Sequence, residues 1–95
     1  MNKDILIQEI VKIIRKRLSR DYRVLLFGSW AKGNALETSD IDIGILGKEE
    51  ISWNEMAKIK DEVDDIPTLR KIDIVDLIST EVKFKENVLK YAKAL

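Results

Sequence analysis

The chain has 95 residues, of which 45% are hydrophobic and 36% charged, and its 17 basic and 17 acidic side chains cancel at pH 7. This balance predicts a soluble globular chain rather than a disordered or membrane-spanning one. Neither cysteine nor histidine occurs, which excludes disulfides, thiolate metal sites and every mechanism that needs a cysteine nucleophile or an imidazole base.

The charges are unevenly distributed along the chain. The net charge is +5 over residues 1–33, −7 over residues 34–65 and +2 over residues 66–95. Because the chain as a whole is neutral, we expect no strong binding of nucleic acid, which requires concentrated positive charge. The acidic middle could hold a cation, although most of its carboxylates are expected to be solvated on a helix surface. These are Glu49, Glu50, Glu55, Asp61, Glu62, Asp64 and Asp65.

The sequence indicates a single unit. It contains no internal repeat, linker or low-complexity segment, no apolar run near the ~20 residues of a membrane span, and no signal peptide at its start. We therefore expect residues 1–95 to form one domain, located in the cytoplasm and not associated with a membrane.

The first predicted elements are a helix, a strand and a helical turn. Apolar residues spaced by three and four predict a helix from Asp4 to Leu18. Its inner face comprises Ile7, Ile10, Val11, Ile14 and Leu18. The apolar run Tyr22–Phe27 predicts a buried strand that ends at Gly28, and Ser29–Lys32 fit one helical turn.

Two further strands are predicted from alternation. Ile41–Leu46 places three isoleucines on one face and Asp42 on the other, together with the preceding Asp40. Arg70–Ile78 alternates in the same way, with Ile72 and Ile74 on the face opposite Asp73. Each strand therefore combines one core face with one acidic face.

Two more helices complete the chain. Ser52 with Glu55 three residues later is a capping box that predicts a helix through about Val63. A last helix is predicted from Thr80 through Leu95. Its expected inner face comprises Val82, Val88, Leu89 and Ala92. The order α-β-turn-β-α-β-α predicts a small α/β (α+β) domain with a sheet of three or four strands.

The Gly28-Ser29 turn is the first feature that points to chemistry. A glycine at the end of a strand lets the backbone approach a ligand closely, and the following amides lie at a helix start, where a phosphate is favoured. Taken alone the pair indicates little, since Gly and Ser are common in turns for local reasons.

Three aspartates are the second feature. Asp40 and Asp42 are two residues apart and face one side of a strand, where like charges repel unless a cation lies between them. If the later strand lies alongside, Asp73 can join them. Three hard oxygen ligands without imidazole suit Mg²⁺ or Mn²⁺ rather than Zn²⁺. The alternative is that Asp40 caps the strand while Asp42 and Asp73 lie on solvated surfaces.

Together these features resemble the signature of the DNA polymerase β-like nucleotidyltransferase superfamily. Residues 28–34 and 39–43 are similar to the minimal nucleotidyltransferases, the MNT group. The resemblance extends over roughly residues 5 to 90, and it implies a polymerase β-like palm with a small mixed sheet flanked by helices.

The resemblance also implies a site. Gly28 and Ser29 would hold the triphosphate of ATP, and the three aspartates would serve in catalysis and bind two Mg²⁺ ions. The three are Asp40, Asp42 and Asp73. Minimal members often have arginine where this chain has Trp30, a residue that could stack on a base or simply pack. Lys32 could supply the missing positive charge, and Ser39 could orient Asp40 or only cap the turn.

The implied activity is AMP transfer from ATP to a hydroxyl of a partner protein. In the MNT group the partner is a small helical HEPN-type protein, often an RNase toxin, and the modified residue is a tyrosine. The alternative is a non-catalytic nucleotide-binding module that neutralises its partner by occlusion. For Trp53 a core position is favoured over an exposed position that could anchor a partner.

Overall fold

The computed structural model describes residues 1–95 as four helices and four strands. In chain order they are α1 (Lys3–Arg17), β1 (Arg23–Phe27), α2 (Ser29–Lys32), β2 (Ile41–Leu46), α3 (Trp53–Asp64), β3 (Ile72–Asp76), α4 (Val82–Tyr91) and β4 (Lys93–Ala94). The first seven elements occur in the predicted order. None of the helices combines the length and the hydropathy that crossing a membrane would require.

The strands form one mixed sheet in the order β3-β2-β1-β4, which confirms the α+β class. β1 is antiparallel to β2 and β4, whereas β2 and β3 are parallel. The end of β1 therefore lies at the same edge of the sheet as the starts of β2 and β3. At that edge Asp42 pairs with Phe27 on one side and with Asp73 on the other.

The main hydrophobic core lies on one face of the sheet, beneath α1 and α3. Ile41, Ile43 and Ile45 are completely buried there, and each such side chain contributes roughly 1.5–3 kcal/mol. A slip of one residue in β2 would move these isoleucines into solvent and the aspartates into the core. The core face of β2 thus determines where its carboxylates point.

The other face of the sheet is covered more sparsely. Leu25, Phe27, Leu77 and Val88 form a small buried cluster there, with α4 packed against β1. A side chain at Gly44 would collide with Leu77, so this glycine makes room for the cluster. Beyond it on the same face, Asp42 and Asp73 are half-buried.

The C-terminal helix is shorter than predicted. It ends at Tyr91, and Lys93–Ala94 pairs with β1, followed by a hydrogen bond of 2.9 Å from the Leu95 amide to the Val24 carbonyl. At the open edge of β1, the backbone of residues 93–95 forms hydrogen bonds with the strand, which it could not do as one more turn of helix. The expected inner face is correct only for Val88 and, in part, Ala92, since Val82 and Leu89 are exposed.

Trp53 is not a core residue, contrary to expectation. It is 87% exposed at the first position of α3, directly after the capping Ser52, whose hydroxyl accepts a hydrogen bond of 3.1 Å from the Glu55 amide. The core beneath α3 is filled by Ile59 and Val63 instead. The Ser52 half of the predicted capping box is confirmed, whereas the Glu55 side chain contacts Arg17 instead. The helix rotation set by this cap turns Trp53 toward solvent.

A network of ion pairs joins α1 to α3 outside the core. Arg17 contacts Glu62 and also Glu55, at 3.4 Å from the latter, and Lys16 lies 2.8 Å from Glu62. The hydrogen bonds from Lys16 and Arg17 lower the pKa of Glu62. These two glutamates, expected to be merely solvated, therefore connect the helices that cover the core.

We predict that Glu62→Gln lowers the melting temperature at neutral pH. Because the folded-state pKa of Glu62 lies below its ordinary value of 4.5, its contribution is complete above that ordinary value and is lost as the pH falls through the lowered one. Circular dichroism melts at neutral pH and at about pH 3 should show the difference from wild type shrinking in acid. Glu86→Gln, at an exposed position on α4, is the control and should melt like wild type at neutral pH. An equal deficit at both pH values would contradict the ion-pair interpretation.

Candidate active site

The Gly28 turn connects β1 to α2 and lies directly against Asp42. Gly28 has a φ of +74°, and a Cβ atom there would overlap the Oδ2 atom of Asp42. Both the backbone conformation and the close approach therefore require glycine. The four-residue helix that follows begins at Ser29, and the first amides of a helix have no partners within it. The turn can present these amides to an anion.

Asp42 and Asp73 lie side by side across the parallel strands β2 and β3. Burial raises the pKa of Asp42, and the nearby charges of Asp73 and Asp40 and a side-chain hydrogen bond with Asp73 raise it further, while Lys71 has the opposite effect. The structure thus brings Asp42 and Asp73 together as a pair. Asp40, exposed just before β2, acts on Asp42 through its charge.

The donor set suits a hard divalent cation. The carboxylates repel one another, and a bound cation would relieve this repulsion; their oxygens are the ligands that Mg²⁺ prefers. No three acidic side chains meet closely enough here to enclose an ion. Asp42 and Asp73 would hold the cation, and Asp40 would complete the ligand set by turning inward.

Trp30 packs rather than facing the Gly28 turn. Its ring lies against the main core, and its indole N–H donates a hydrogen bond of 3.2 Å to the carbonyl of Ser39. The hydroxyl of Ser39 accepts a hydrogen bond of 2.8 Å from the Leu36 amide. Two roles were predicted for Ser39, and its contacts correspond to the second, which is to cap the turn before Asp40.

Arg70 is a site-proximal residue that the sequence analysis overlooked. Its guanidinium donates to the carbonyl of Glu37, and lies 5.6 Å from the centre of the Trp30 ring. Together with the indole bond to Ser39, it holds the segment that leads into Asp40. The only signal in the sequence was a pair of basic residues, Arg70 and Lys71, just before the strand that carries Asp73.

Lys32 lies on the side of the Gly28 turn that faces α4. Its ammonium group is 5.4 Å from the centre of the Tyr91 ring, and both residues line a cavity that includes Gly28. Among the predicted nucleotide-binding residues, Gly28 and Lys32 thus line one cavity, and Ser29 directly follows Gly28 in the chain. Ser39 lies apart from it, in the loop before β2.

Comparison with known proteins is consistent with this geometry. Residues 8–95 match the family described as polymerase beta, nucleotidyltransferase. The chain is 32% identical over 81 residues to MntA of Haemophilus influenzae, covering 85% of this chain and 71% of that protein. It is 28% identical over 91 residues to the protein adenylyltransferase MntA of Shewanella oneidensis, covering 92% of this chain and 62% of that one.

A solved structure extends the similarity to three dimensions. A chain in the crystal structure of a toxin–antitoxin with AMP-PNP superposes with a TM-score of 0.67 at 26% identity, covering 92% of this chain and 69% of that one. The mixed sheet and its flanking helices are therefore those of the family that the motif indicated. Since the family match extends over nearly the whole chain, this protein belongs to the polymerase beta nucleotidyltransferase family.

Proposed function

We propose that this chain transfers AMP from ATP, with Mg²⁺, to a tyrosine hydroxyl of a partner protein. The partner would be a small helical HEPN-type toxin, and this chain its antitoxin. The observation that carries the proposal is the contact between the Gly28 turn and Asp42, with Asp73 in register beside it. A turn suited to phosphate and a carboxylate pair suited to Mg²⁺ are thereby neighbours. The adenylyltransferase name of the Shewanella relative and the AMP-PNP complex support the choice of AMP.

Each residue of the proposed site has a separate role in the reaction. The amides at Gly28 and Ser29 bind the triphosphate, and Lys32 adds positive charge beside it. The acceptor oxygen forms a bond to the α-phosphorus while the bond from that phosphorus to the pyrophosphate oxygen breaks. Asp73 accepts the proton from the acceptor hydroxyl. Mg²⁺ held by Asp40, Asp42 and Asp73 would supply a positive charge that offsets the developing charge on the phosphates.

A non-catalytic binding module is the second candidate. It is favoured by one observation, the lack of convergence among three carboxylates. In this alternative the chain binds a nucleotide without transferring AMP and neutralises its partner by occlusion. The two candidates respond differently to the removal of one carboxylate. In the first candidate AMP transfer is lost, whereas in the second only the binding of metal changes.

We predict that Asp42→Asn abolishes AMP transfer. The metal contributes several kcal/mol to such transition states, so the rate should fall more than about 100-fold. Transfer of label from ATP radiolabelled at the α-phosphate to proteins of a host lysate, in Mg²⁺, measures this. Asp21→Asn, which removes an exposed carboxylate in the α1–β1 turn, is the matched control and should retain transfer.

The outcomes separate the two candidates. A band labelled by wild type and Asp21→Asn but not by Asp42→Asn supports transfer. Labelling by Asp42→Asn at the wild-type level would refute the metal-site assignment. No label with any variant, while the partner is still recovered by pull-down, would favour occlusion.

We predict that Asp42→Asn also raises the melting temperature in the absence of metal. Because the pKa of Asp42 is raised from 3.8 in the folded state, the protonated carboxyl stabilises the fold below that value, and this stability is lost as the pH rises through the raised pKa. Above that raised pKa the ionised carboxylate is therefore a cost that asparagine removes. Thermal melts in EDTA should show a higher value for the variant, and added Mg²⁺ should raise the wild type only. A lower value for the variant in EDTA would show that the repulsion is negligible.

We predict that Gly28→Ala is more damaging than Gly33→Ala. Both glycines have positive φ, 74° and 83°, but only at Gly28 would a Cβ atom overlap Asp42; at Gly33 it meets open space. Gly33→Ala should cost about 1–2 kcal/mol for the backbone alone, and Gly28→Ala more, with loss of ATP-analogue binding. Urea denaturation and calorimetric titration with AMP-PNP measure both effects. Equal losses would mean that the close approach to Asp42 is unimportant.

A further inference from the structure

A small cavity lies beside the Gly28 turn, between α2 and α4. It has a volume of about 190 Å³. Its walls include Gly28 and Lys32 on one side and Phe84, Asn87 and Tyr91 on the other. Because Gly28 belongs both to this cavity and to the contact with Asp42, the cavity adjoins the candidate phosphate site.

Two of the three aromatic residues that line the cavity are exposed, and the third, Phe27, is buried. Phe84 is 42% and Tyr91 52% exposed, although each ring would contribute to stability if buried. They are seven residues apart on α4, two helical turns, and therefore lie on one face of the helix. Phe84 meets the buried Phe27 ring edge-on, with centroids 6.2 Å apart and planes at 89°. That contact holds the Phe84 ring in place while part of it stays accessible.

The polar residues of the cavity carry groups that suit a nucleotide. Lys32 lies 5.4 Å from the centre of the Tyr91 ring, so its ammonium group lies beside the aromatic wall of a cavity that also includes Gly28. Asn87, between the two aromatics along α4, carries a side-chain amide with both donor and acceptor. An amide of this kind pairs with adenine through the N6 and N7 atoms of the base.

We propose that this cavity holds the base of the bound nucleotide, with Phe84 and Tyr91 as stacking surfaces and Asn87 as the residue that selects adenine. The proposal rests on the proposed function, since it requires that the triphosphate occupies the Gly28 turn. In this proposal the exposed aromatic face of α4 binds the base of the nucleotide. No residue that lines this cavity also lines the opening beside Asp40 and Arg70, which leaves that opening for the acceptor.

The test compares a ligand with a base and a ligand without one. Calorimetric titrations in Mg²⁺ are made with AMP-PNP and with inorganic tripolyphosphate. The variants are Phe84→Leu and Tyr91→Leu, which retain apolar bulk but lose the aromatic face. Each should weaken AMP-PNP about tenfold, as the loss of one base–aromatic stack does, and leave tripolyphosphate unchanged. Leu89→Ala, at an exposed apolar position of α4 outside the cavity, should change neither affinity.

Each outcome has a definite meaning. An equal loss of affinity for AMP-PNP and tripolyphosphate, or no loss for either ligand, would overturn the base site. Loss of partner binding while the AMP-PNP affinity stays intact would also overturn it, because α4 would then be a protein-docking face. Tyr91→Leu provides the result if Phe84→Leu, which touches Phe27, does not fold. Failure of the wild type to bind either ligand would instead contradict the proposed function itself.

Adenine selection has its own measurement. Wild type should bind AMP-PNP more tightly than GMP-PNP. Asn87→Asp, whose carboxylate only accepts hydrogen bonds and so suits the N1 and N2 donors of guanine, should reduce or reverse that preference. A preference unchanged in Asn87→Asp would show that Asn87 does not read the base.

Discussion

The absence of a side chain at Gly28 allows the backbone of the β1–α2 turn to rest against the carboxylate of Asp42. No other residue fits there, since a Cβ atom would overlap the Oδ2 atom and φ is positive. The contact connects two elements with different tasks, a turn that can present amides to phosphate and a strand that carries acidic ligands. Everything proposed for function depends on this juxtaposition. The antiparallel pairing of β1 with β2, in which Phe27 lies opposite Asp42, brings the two together.

The core holds the acidic residues where they are. Ile41, Ile43 and Ile45 are fully buried beneath α1 and α3, and strand alternation then directs Asp42 to the opposite face. Burial on one face thus offsets the repulsion on the other, where Asp42 and Asp73 share half-buried surroundings. The repulsion is a local cost that the candidate site imposes on stability. The Arg17–Glu62 pair, on the far side of the core, is among the interactions that compensate for it.

Local patterns in the sequence were sufficient for most of this architecture. Alternation at Ile41–Leu46 predicted both the core face and the acidic face, and the Ser52 cap predicted the start of α3. What the patterns missed depends on partners distant in the chain. The end of α4 is decided by the free edge of β1, to which Lys93–Ala94 adds as a strand. The link from Arg70 to Glu37 spans 33 residues, and no local spacing reveals such a contact.

The two tryptophans illustrate the same distinction between local and distant information. Trp30 stands where minimal members often have arginine and was predicted either to stack on a base or to pack, and its indole donates to Ser39 and fixes the loop before Asp40. Trp30 therefore affects the acidic group, a few residues away, rather than the phosphate turn. If the missing guanidinium charge has a substitute, Lys32 is positioned for it, beside Gly28 and against Tyr91. One aromatic thus holds the loop before Asp40, and another contacts Lys32 at the cavity beside Gly28, so different side chains support the two elements that meet in the Gly28–Asp42 contact.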